Sequence, residues 1–285
     1  MIRPPAVAGS FYPATRETLD AQLSQLLGAV KVPAGPCPKA LIVPHAGYAY
    51  SGPIAASAFA RVAPFGDRIE RVVLVGPAHR VFVNGLASTG AERLATPLGE
   101  IEVEEIEGVH ANPAAHAREH SLEVELPFLQ KVCPKARVVA LCGSRATPEE
   151  VGALLERNWG GPETLIVISS DLSHYLPYAE GRIVDQETAE QILALDPTLE
   201  GDDACGSIGI NGLLWVAARR GIDVELVDLR SSGDTAGSRD EVVGYGSFAF
   251  YEAAAGWPQE RAAVRCSSTA TRASSISTPS SVRSM

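Results

Sequence analysis

Three apolar segments of the 285-residue chain run into side chains that serve in metal binding or acid–base chemistry. His45 follows LIVP within PHAGYAYSG, and His79 follows VVLVGP after one alanine. Asp171 and His174 follow LIVISS within SSDLSHY. Imidazole binds Zn, Cu and Fe alike, and both imidazole and carboxylate can transfer protons. These four residues predict a metal or acid–base site without choosing the metal.

Cys205 is a further candidate ligand. It lies in DDACGSIGINGLLWVAARR, where a turn-like acidic segment leads into a helix-like pattern. A thiol at a helix N-terminus has its pKa lowered by the helix dipole and the free N–H groups, which favours the metal-binding thiolate. The alternative is a small apolar side chain buried in the helix cap.

The roles of Asp171 and His174 stay open at this point. Because they are three positions apart, both side chains can point into one crevice if the segment begins a helical turn. They are candidates for metal ligands, for acid–base groups, or for groups that orient a ligand imidazole. In the alternative, Asp171 is a helix N-cap and His174 lies on the first turn.

The segment REHSLEVELPFL offers another candidate group, His120 with Glu123 three residues later. The same letters fit an ordinary helix start, with Ser121 as the cap and carboxylates in the first turn. We leave both interpretations open. We expect His110 and His116, in a polar stretch rich in Ala and Glu, to lie on the surface.

The elements that position these residues follow from the pattern of apolar side chains. Short, nearly continuous apolar runs predict strands buried on both faces, at 40–43, 71–75, 138–141, 164–168, 223–229 and 245–251. Intervening segments predict helices at 15–27, 53–62, 122–132, 148–159, 178–195 and 207–220. The alternation predicts an α/β domain whose central, largely parallel sheet is flanked by helices. Ligands of such sheets bind beyond the carboxyl ends of the strands, where distant residues can meet.

Composition limits the class of protein. Apolar residues make up 46% and charged residues 20%, as in ordinary globular proteins. A net charge of −10 gives no positive field for nucleic acid or an anionic membrane. The five cysteines form no disulfide framework, MIRPPAVAGSFYP is no signal peptide, and no apolar run approaches ~20 residues. We therefore expect a cytoplasmic protein without nucleic-acid or membrane partners.

We predict one domain over residues 1–255, followed by a tail over residues 256–285. From residue 262 onward the sequence is rich in Ser and Thr and nearly free of large apolar residues. Such a segment cannot bury enough apolar surface to offset the entropy lost on ordering. The tail is therefore expected to be disordered.

In its motifs the chain resembles the Memo family, also described as AmmeMemoRadiSam system protein B. The matching segments run in order from residue 3 to about residue 251: RPPAVAGSFYP, PHAGYAYSG, GPAH, EHSLEVELPFLQ, SSDLSHY, ACG, and SSGD with VGYGSFAF. The resemblance implies an αββα-like single domain related to class III extradiol ring-cleavage dioxygenases. It places metal-site histidines on His45 and His79, an acid and a third histidine on Asp171 and His174, and a cysteine on Cys205.

These observations predict a metal-binding redox protein, dioxygenase-like, whose substrate the sequence does not identify. His45, His79 and Cys205 would bind Fe2+ first and copper second, while Asp171 and His174 handle protons. The thiolate replaces the carboxylate of the two-His, one-carboxylate iron set, which argues against ring cleavage.

Two other functions remain open. One is a pocket that binds a peptide or a partner protein, and the other is a zinc-dependent hydrolase built on the same ligands. The family name also implies partnership with an AMMECR-type protein and a radical-SAM enzyme.

Overall fold

The apolar runs of the sequence form the strands at the centre of the fold. In the computed structural model, which describes residues 1–252, the strands are β1 (Ile2–Arg3), β2 (Ala40–Val43), β3 (Arg71–Pro77), β4 (Gly85–Ser88), β5 (Arg93–Thr96), β6 (Gly99–Glu102), β7 (His110–Ala111), β8 (Arg137–Arg145), β9 (Thr164–Ser169), β10 (His174–Leu176), β11 (Asp223–Ser231) and β12 (Val242–Tyr251). The helices are α1 (Arg16–Gly28), α2 (Gly52–Val62), α3 (Pro113–Ala117), α4 (Leu126–Val132), α5 (Pro148–Arg157), α6 (Tyr178–Leu193) and α7 (Ser207–Arg220).

The main sheet has the strand order β10-β12-β2-β9-β3-β8-β4-β7, and β11 pairs with β12. Its centre, β2-β9-β3-β8, is parallel, while β12 joins β2 and β4 joins β8 in antiparallel fashion. The prediction of an α/β domain with a central, largely parallel sheet flanked by helices is confirmed. Because of the antiparallel pairs at its outer strands, the whole sheet is mixed rather than purely parallel. Strands β11 and β12 follow each other without a helical crossover, and such a connection suits antiparallel pairing.

Alternate residues of the central strands pack into two separate cores. Leu41 and Val43 face one core, which includes buried residues of α1, α2 and α4. Ile42 faces the other, which includes buried residues of α5, α6 and α7. Successive side chains of a strand point to opposite faces, so an entirely apolar strand needs cover on both. This double burial explains the continuous apolar runs.

The ends of three parallel strands meet at one edge of the sheet. Val43 of β2 pairs with Ser169 of β9, and Val75 of β3 pairs with Ile168. The loops that follow β2, β9 and β3 therefore start side by side. This edge corresponds to the ligand-binding edge expected for parallel strands.

The segment predicted as one helix over 122–132 is divided. A 3-10 turn at Glu123–Glu125 precedes α4, whose second residue is Pro127. Proline lacks the N–H that a continuous α-helix would need at this position, and it is well tolerated in a first turn. The helix therefore begins only at Leu126.

The described part of the chain forms one compact unit, Met1–Glu252. None of its helices is both long and apolar enough to cross a membrane. The predicted tail, residues 256–285, lies outside the described residues, and its disorder stays a prediction.

Candidate metal site

His45 is held rigidly two residues beyond the end of β2. Its backbone N–H donates to Oδ1 of Asp171 at 2.8 Å, and its Nδ1 lies 2.8 Å from Oγ of Ser169. The residue is only 1% exposed. Both contacts come from the end of β9, so pairing of β2 with β9 fixes the position of this imidazole.

His79 is fixed in the equivalent place beyond β3, by Glu119. One carboxylate oxygen accepts the backbone N–H of His79 at 2.6 Å and the other lies 2.9 Å from its Nδ1. The same carboxylate accepts the backbone N–H groups of His120 and Ser121. Burial alone would raise the pKa of Glu119, but the hydrogen bonds from His79 and Ser121 outweigh it and hold the pKa well below its usual range.

His120 lies close to the two strand-end histidines. Ring centroids are separated by 5.3 Å for His45 and His79, 5.4 Å for His45 and His120, and 4.7 Å for His79 and His120. The ring of Phe11 covers His120 with a centroid distance of 4.8 Å. We call these three imidazoles the histidine cluster. Among the described residues, it is the group whose possible ligand atoms all lie within 4.8 Å of one another.

Two members of the histidine cluster, His45 and His120, lie in surroundings that favour the neutral imidazole. Burial lowers the pKa of His45 well below its ordinary value, and neighbouring His79 and His120 lower it further. Burial lowers the pKa of His120 to about 4, although the Glu119 carboxylate opposes this effect. A neutral imidazole keeps a nitrogen lone pair for a metal, whereas an imidazolium has none.

The geometry of the histidine cluster fits a transition-metal ion. Two nitrogens bound to one ion at about 2 Å lie no more than about 4 Å apart, so only a small side-chain adjustment is needed. Oxygen partners engage the Nδ1 atoms of His45 and His79, so each Nε2 is the ring nitrogen that could bind a metal. Three imidazoles suit zinc, copper and iron, so the cluster does not select the metal.

Cys205 lies beside the histidine cluster, just before α7. Its Sγ is 3.3 Å from Nε2 of His45, and its backbone N–H donates to the carbonyl oxygen of Asp171. The expected lowering of its pKa is wrong: burial, with the nearby Asp171 carboxylate, raises the pKa of the thiol to about 12. Desolvation here exceeds any effect of the helix N-terminus.

Asp171 and His174 are near the histidine cluster without belonging to it. Asp171 is buried, and burial raises its pKa to about 7 in spite of the hydrogen bond from the His45 N–H. His174 opens β10, where it pairs with Val243 of β12. It is half-buried, and burial lowers its pKa. Asp171 therefore acts on His45 through the backbone N–H, which donates to its carboxylate.

His120 and Glu119 are the functional candidates that the strand-end pattern did not select. No strand leads into EHSLEVEL, and the alternative of a helix start fitted the same letters. The structure decides against Ser121 as a cap, because its hydroxyl donates to the carbonyl of Pro77. The adjacent Glu–His pair in EHS is the one sequence signal that could have identified these residues.

Glu123 anchors the N-terminal segment instead of the histidine cluster. Its carboxylate forms a buried ion pair with Arg3 at 2.7 Å and accepts a hydrogen bond from the hydroxyl of Tyr12. Arg3 in turn donates to the carbonyl oxygens of His116 and Glu119. The expectation that His116 lies on the surface is wrong, because its ring is buried and its Nε2 lies 2.9 Å from a backbone oxygen.

Comparisons with known proteins agree with the motif pattern. Residues 3–249 match a family described as Memo-like protein. A MEMO1 family protein of Thermotoga maritima is 35% identical over 276 residues, covering 86% of this chain and 98% of the relative. One of Archaeoglobus fulgidus is 35% identical over 270 residues, covering 87% and 99%, and one of Aquifex aeolicus is 34% identical over 267 residues, covering 86% and 97%.

Proposed function

The chain belongs to the Memo-like protein family, and from this premise we propose that it is a metal-binding redox protein. His45, His79 and Cys205 bind the ion in this proposal, and His120 is added to them as a ligand. The observation that carries it is the convergence of three imidazoles at the edge of the sheet where ligands are expected to bind. Iron is the first candidate and copper the second, since imidazole and thiolate suit both.

The environment of Cys205 supports a role as ligand. A half-buried thiol with a raised pKa is a poor thiolate by itself, but a bound cation deprotonates a coordinating thiol. Its Sγ also lies beside Nε2 of His45, the ring nitrogen that would face the ion. Bound iron or copper would supply electron transfer or oxygen chemistry.

Asp171 and His174 are proposed to hold or move protons beside this site. Both residues follow β9, which ends at Ser169, and both side chains are titratable. A small molecule or a peptide is the proposed ligand of this site. An AMMECR-type protein and a radical-SAM enzyme are the proposed partners, on the family resemblance alone.

A zinc-dependent hydrolase is the second candidate. A set of three histidines with an open position is also the donor set of hydrolytic zinc enzymes, in which the metal activates water. The two functions differ in the metal they need.

The deciding experiment is elemental analysis and spectroscopy of the full chain purified without oxygen. Stoichiometric iron or copper supports the redox function, stoichiometric zinc supports the hydrolase, and no bound metal contradicts both and supports a pocket for a peptide or partner protein. His120→Gln should lower metal content, whereas His110→Gln, on an exposed residue, serves as the matched control.

A further inference from the structure

Three buried glutamates lie in the segment that precedes α4. Only two of them have hydrogen-bond donors around both carboxylate oxygens, as an ionised carboxylate needs. Glu119 accepts four hydrogen bonds from N–H groups. Glu123 receives an arginine, two backbone N–H groups and a tyrosine hydroxyl. Glu125 is fully buried, and its Oε1 lies beside the hydroxyl of Ser169. Its Oε2 has no hydrogen-bond partner within the described residues.

The hydroxyl of Ser169 has three partners at hydrogen-bond distance. They are the carbonyl oxygen of Ser121 at 2.7 Å, Nδ1 of His45 at 2.8 Å and Oε1 of Glu125 at 2.9 Å. A hydroxyl has one proton and two lone pairs. The carbonyl can only accept, so all three bonds form together only if Ser169 donates to Ser121 and accepts from the other two.

This proton count fixes the state of both remaining partners. His45 must carry its hydrogen on Nδ1, and Glu125 must be a protonated carboxylic acid that donates from Oε1. An ionised Glu125 would place an unpaired charge in an apolar interior, which is costly. Burial accordingly raises the pKa of Glu125 well above its usual range.

The Nδ1–H form of His45 leaves the lone pair on Nε2. That nitrogen is on the side of Cys205, whose Sγ lies 3.3 Å away and can donate its thiol hydrogen to it. Contacts on both sides of the ring therefore favour the same tautomer.

We propose that Ser169 and Glu125 are positioning residues that hold His45 as its Nδ1–H tautomer, with Glu125 kept as a neutral acid that donates to Ser169. The inference rests on the proposed function in one respect, that the freed Nε2 is the nitrogen that binds the metal. Glu119 serves His79 differently, since it does so as an anion. The site would thus combine one charged and one neutral carboxyl behind its imidazoles.

The tautomer can be measured without any metal. In 15N-histidine-labelled, chelator-treated full chain, NMR distinguishes hydrogen on Nδ1 from hydrogen on Nε2, and His45→Gln identifies the His45 signals. We expect Nδ1–H in the wild type and a shift toward Nε2–H in Ser169→Ala, which removes the acceptor. The affinity of Ser169→Ala for Fe2+ should fall about 10- to 100-fold. Ser88→Ala is the matched control, because this buried hydroxyl has no hydrogen-bond partner among the described residues.

The state of Glu125 has its own readout. The infrared difference between wild type and Glu125→Gln, recorded at mildly alkaline pH where an ordinary Glu is ionised, should show loss of a protonated-carboxyl band. The Gln amide can donate to Ser169 in place of the acid, so His45 should keep its tautomer. Absence of the band would overturn the assignment of Glu125.

The remaining outcomes are also decisive. Nε2–H in the wild type, or a Ser169→Ala variant that behaves like Ser88→Ala, overturns the role of Ser169. Should Ser169→Ala not fold, the wild-type tautomer and Glu125→Gln decide. Wild-type protein that binds no metal would refute the proposed function, yet the tautomer measurement would still stand.

Discussion

The side chains that contact the Nδ1 atoms of the imidazoles do as much as the imidazoles to define the candidate site. Glu119 fixes both the backbone and the ring of His79, and the Ser169 hydroxyl fixes the ring of His45. Partners of this kind orient ligand histidines and set which nitrogen is free. At the scale of single residues, these contacts would orient the imidazoles for the metal ion that we propose.

The first prediction concerns Cys205. If its thiolate is a ligand, Cys205→Ser should weaken Fe2+ or Cu+ binding at least about tenfold, because a serine hydroxyl is a poor and mostly protonated donor. Titration calorimetry or chelator competition without oxygen measures the affinity.

Cys133→Ser is the matched control, since Cys133 is buried in the core and away from the histidine cluster. Equal affinities for the wild type and both variants would exclude Cys205. The histidine cluster would then hold the metal without a thiolate, which favours the zinc alternative.

At the scale of elements, the packing of α6 against β12 leaves a carboxylate in an apolar setting. Asp185 of α6 accepts the backbone N–H of Ser173 at 3.1 Å and is only 3% exposed. The backbone of Gly244 in β12 approaches so closely that a Cβ there would lie 2.1 Å from the carboxylate. Burial raises the pKa of Asp185 to about 6.

This pKa predicts a pH-dependent stability. The folded pKa is above the unfolded value of about 3.9, so the folded state binds more protons between about pH 4 and 6. Stability contributed by the protonated acid is present below about pH 4 and is lost as pH rises to about 6. Asp185→Asn should match the wild type near pH 4 and be more stable by about 2–3 kcal/mol near pH 7.

Urea unfolding at both pH values tests this, with Asp185→Ala as the control. The Asn amide can use the buried hydroxyl of Ser173, which has no other hydrogen-bond partner in the described part of the chain. Alanine also removes the acceptor for the Ser173 N–H, so that variant should be less stable than the wild type near pH 4. An Asp185→Asn variant less stable than wild type near pH 7 would contradict the prediction.

At the scale of the whole molecule, two cores on opposite faces of the mixed sheet account for the described unit. Strand β12, the last within residues 1–252, lies between β2 and β11 and contributes buried Phe248 and Phe250 to one core. The composition after residue 262 offers no comparable apolar side chains. Deletion of residues 262–285 should therefore leave the thermal midpoint and the metal content unchanged. A clear fall in the midpoint, measured by calorimetry on both chains, would show that the tail contributes to folding.

The sequence by itself determined the central strands and that two histidines of the candidate site lie together. Strands buried on both faces need continuous apolar runs, so β2, β3, β8 and β9 were readable from local pattern. Because parallel strands end at one edge of a sheet, the sequence alone predicts that His45 and His79 meet. The pattern of apolar residues indicates which side chains are buried, and burial on both faces is what these four strands share.

Only the tertiary structure decided the rest. His120 and Glu119 lie on a segment with no strand, and their place depends on contacts with residues about 40 positions away, such as the His79 N–H. Whether an outer strand pairs in parallel or antiparallel fashion depends on the connection that joins it to its neighbour. The sequence of the strand itself does not show this. The pKa of Cys205 was mispredicted for a related reason: the local sequence shows a helix start, whereas desolvation by the packed site sets the proton affinity.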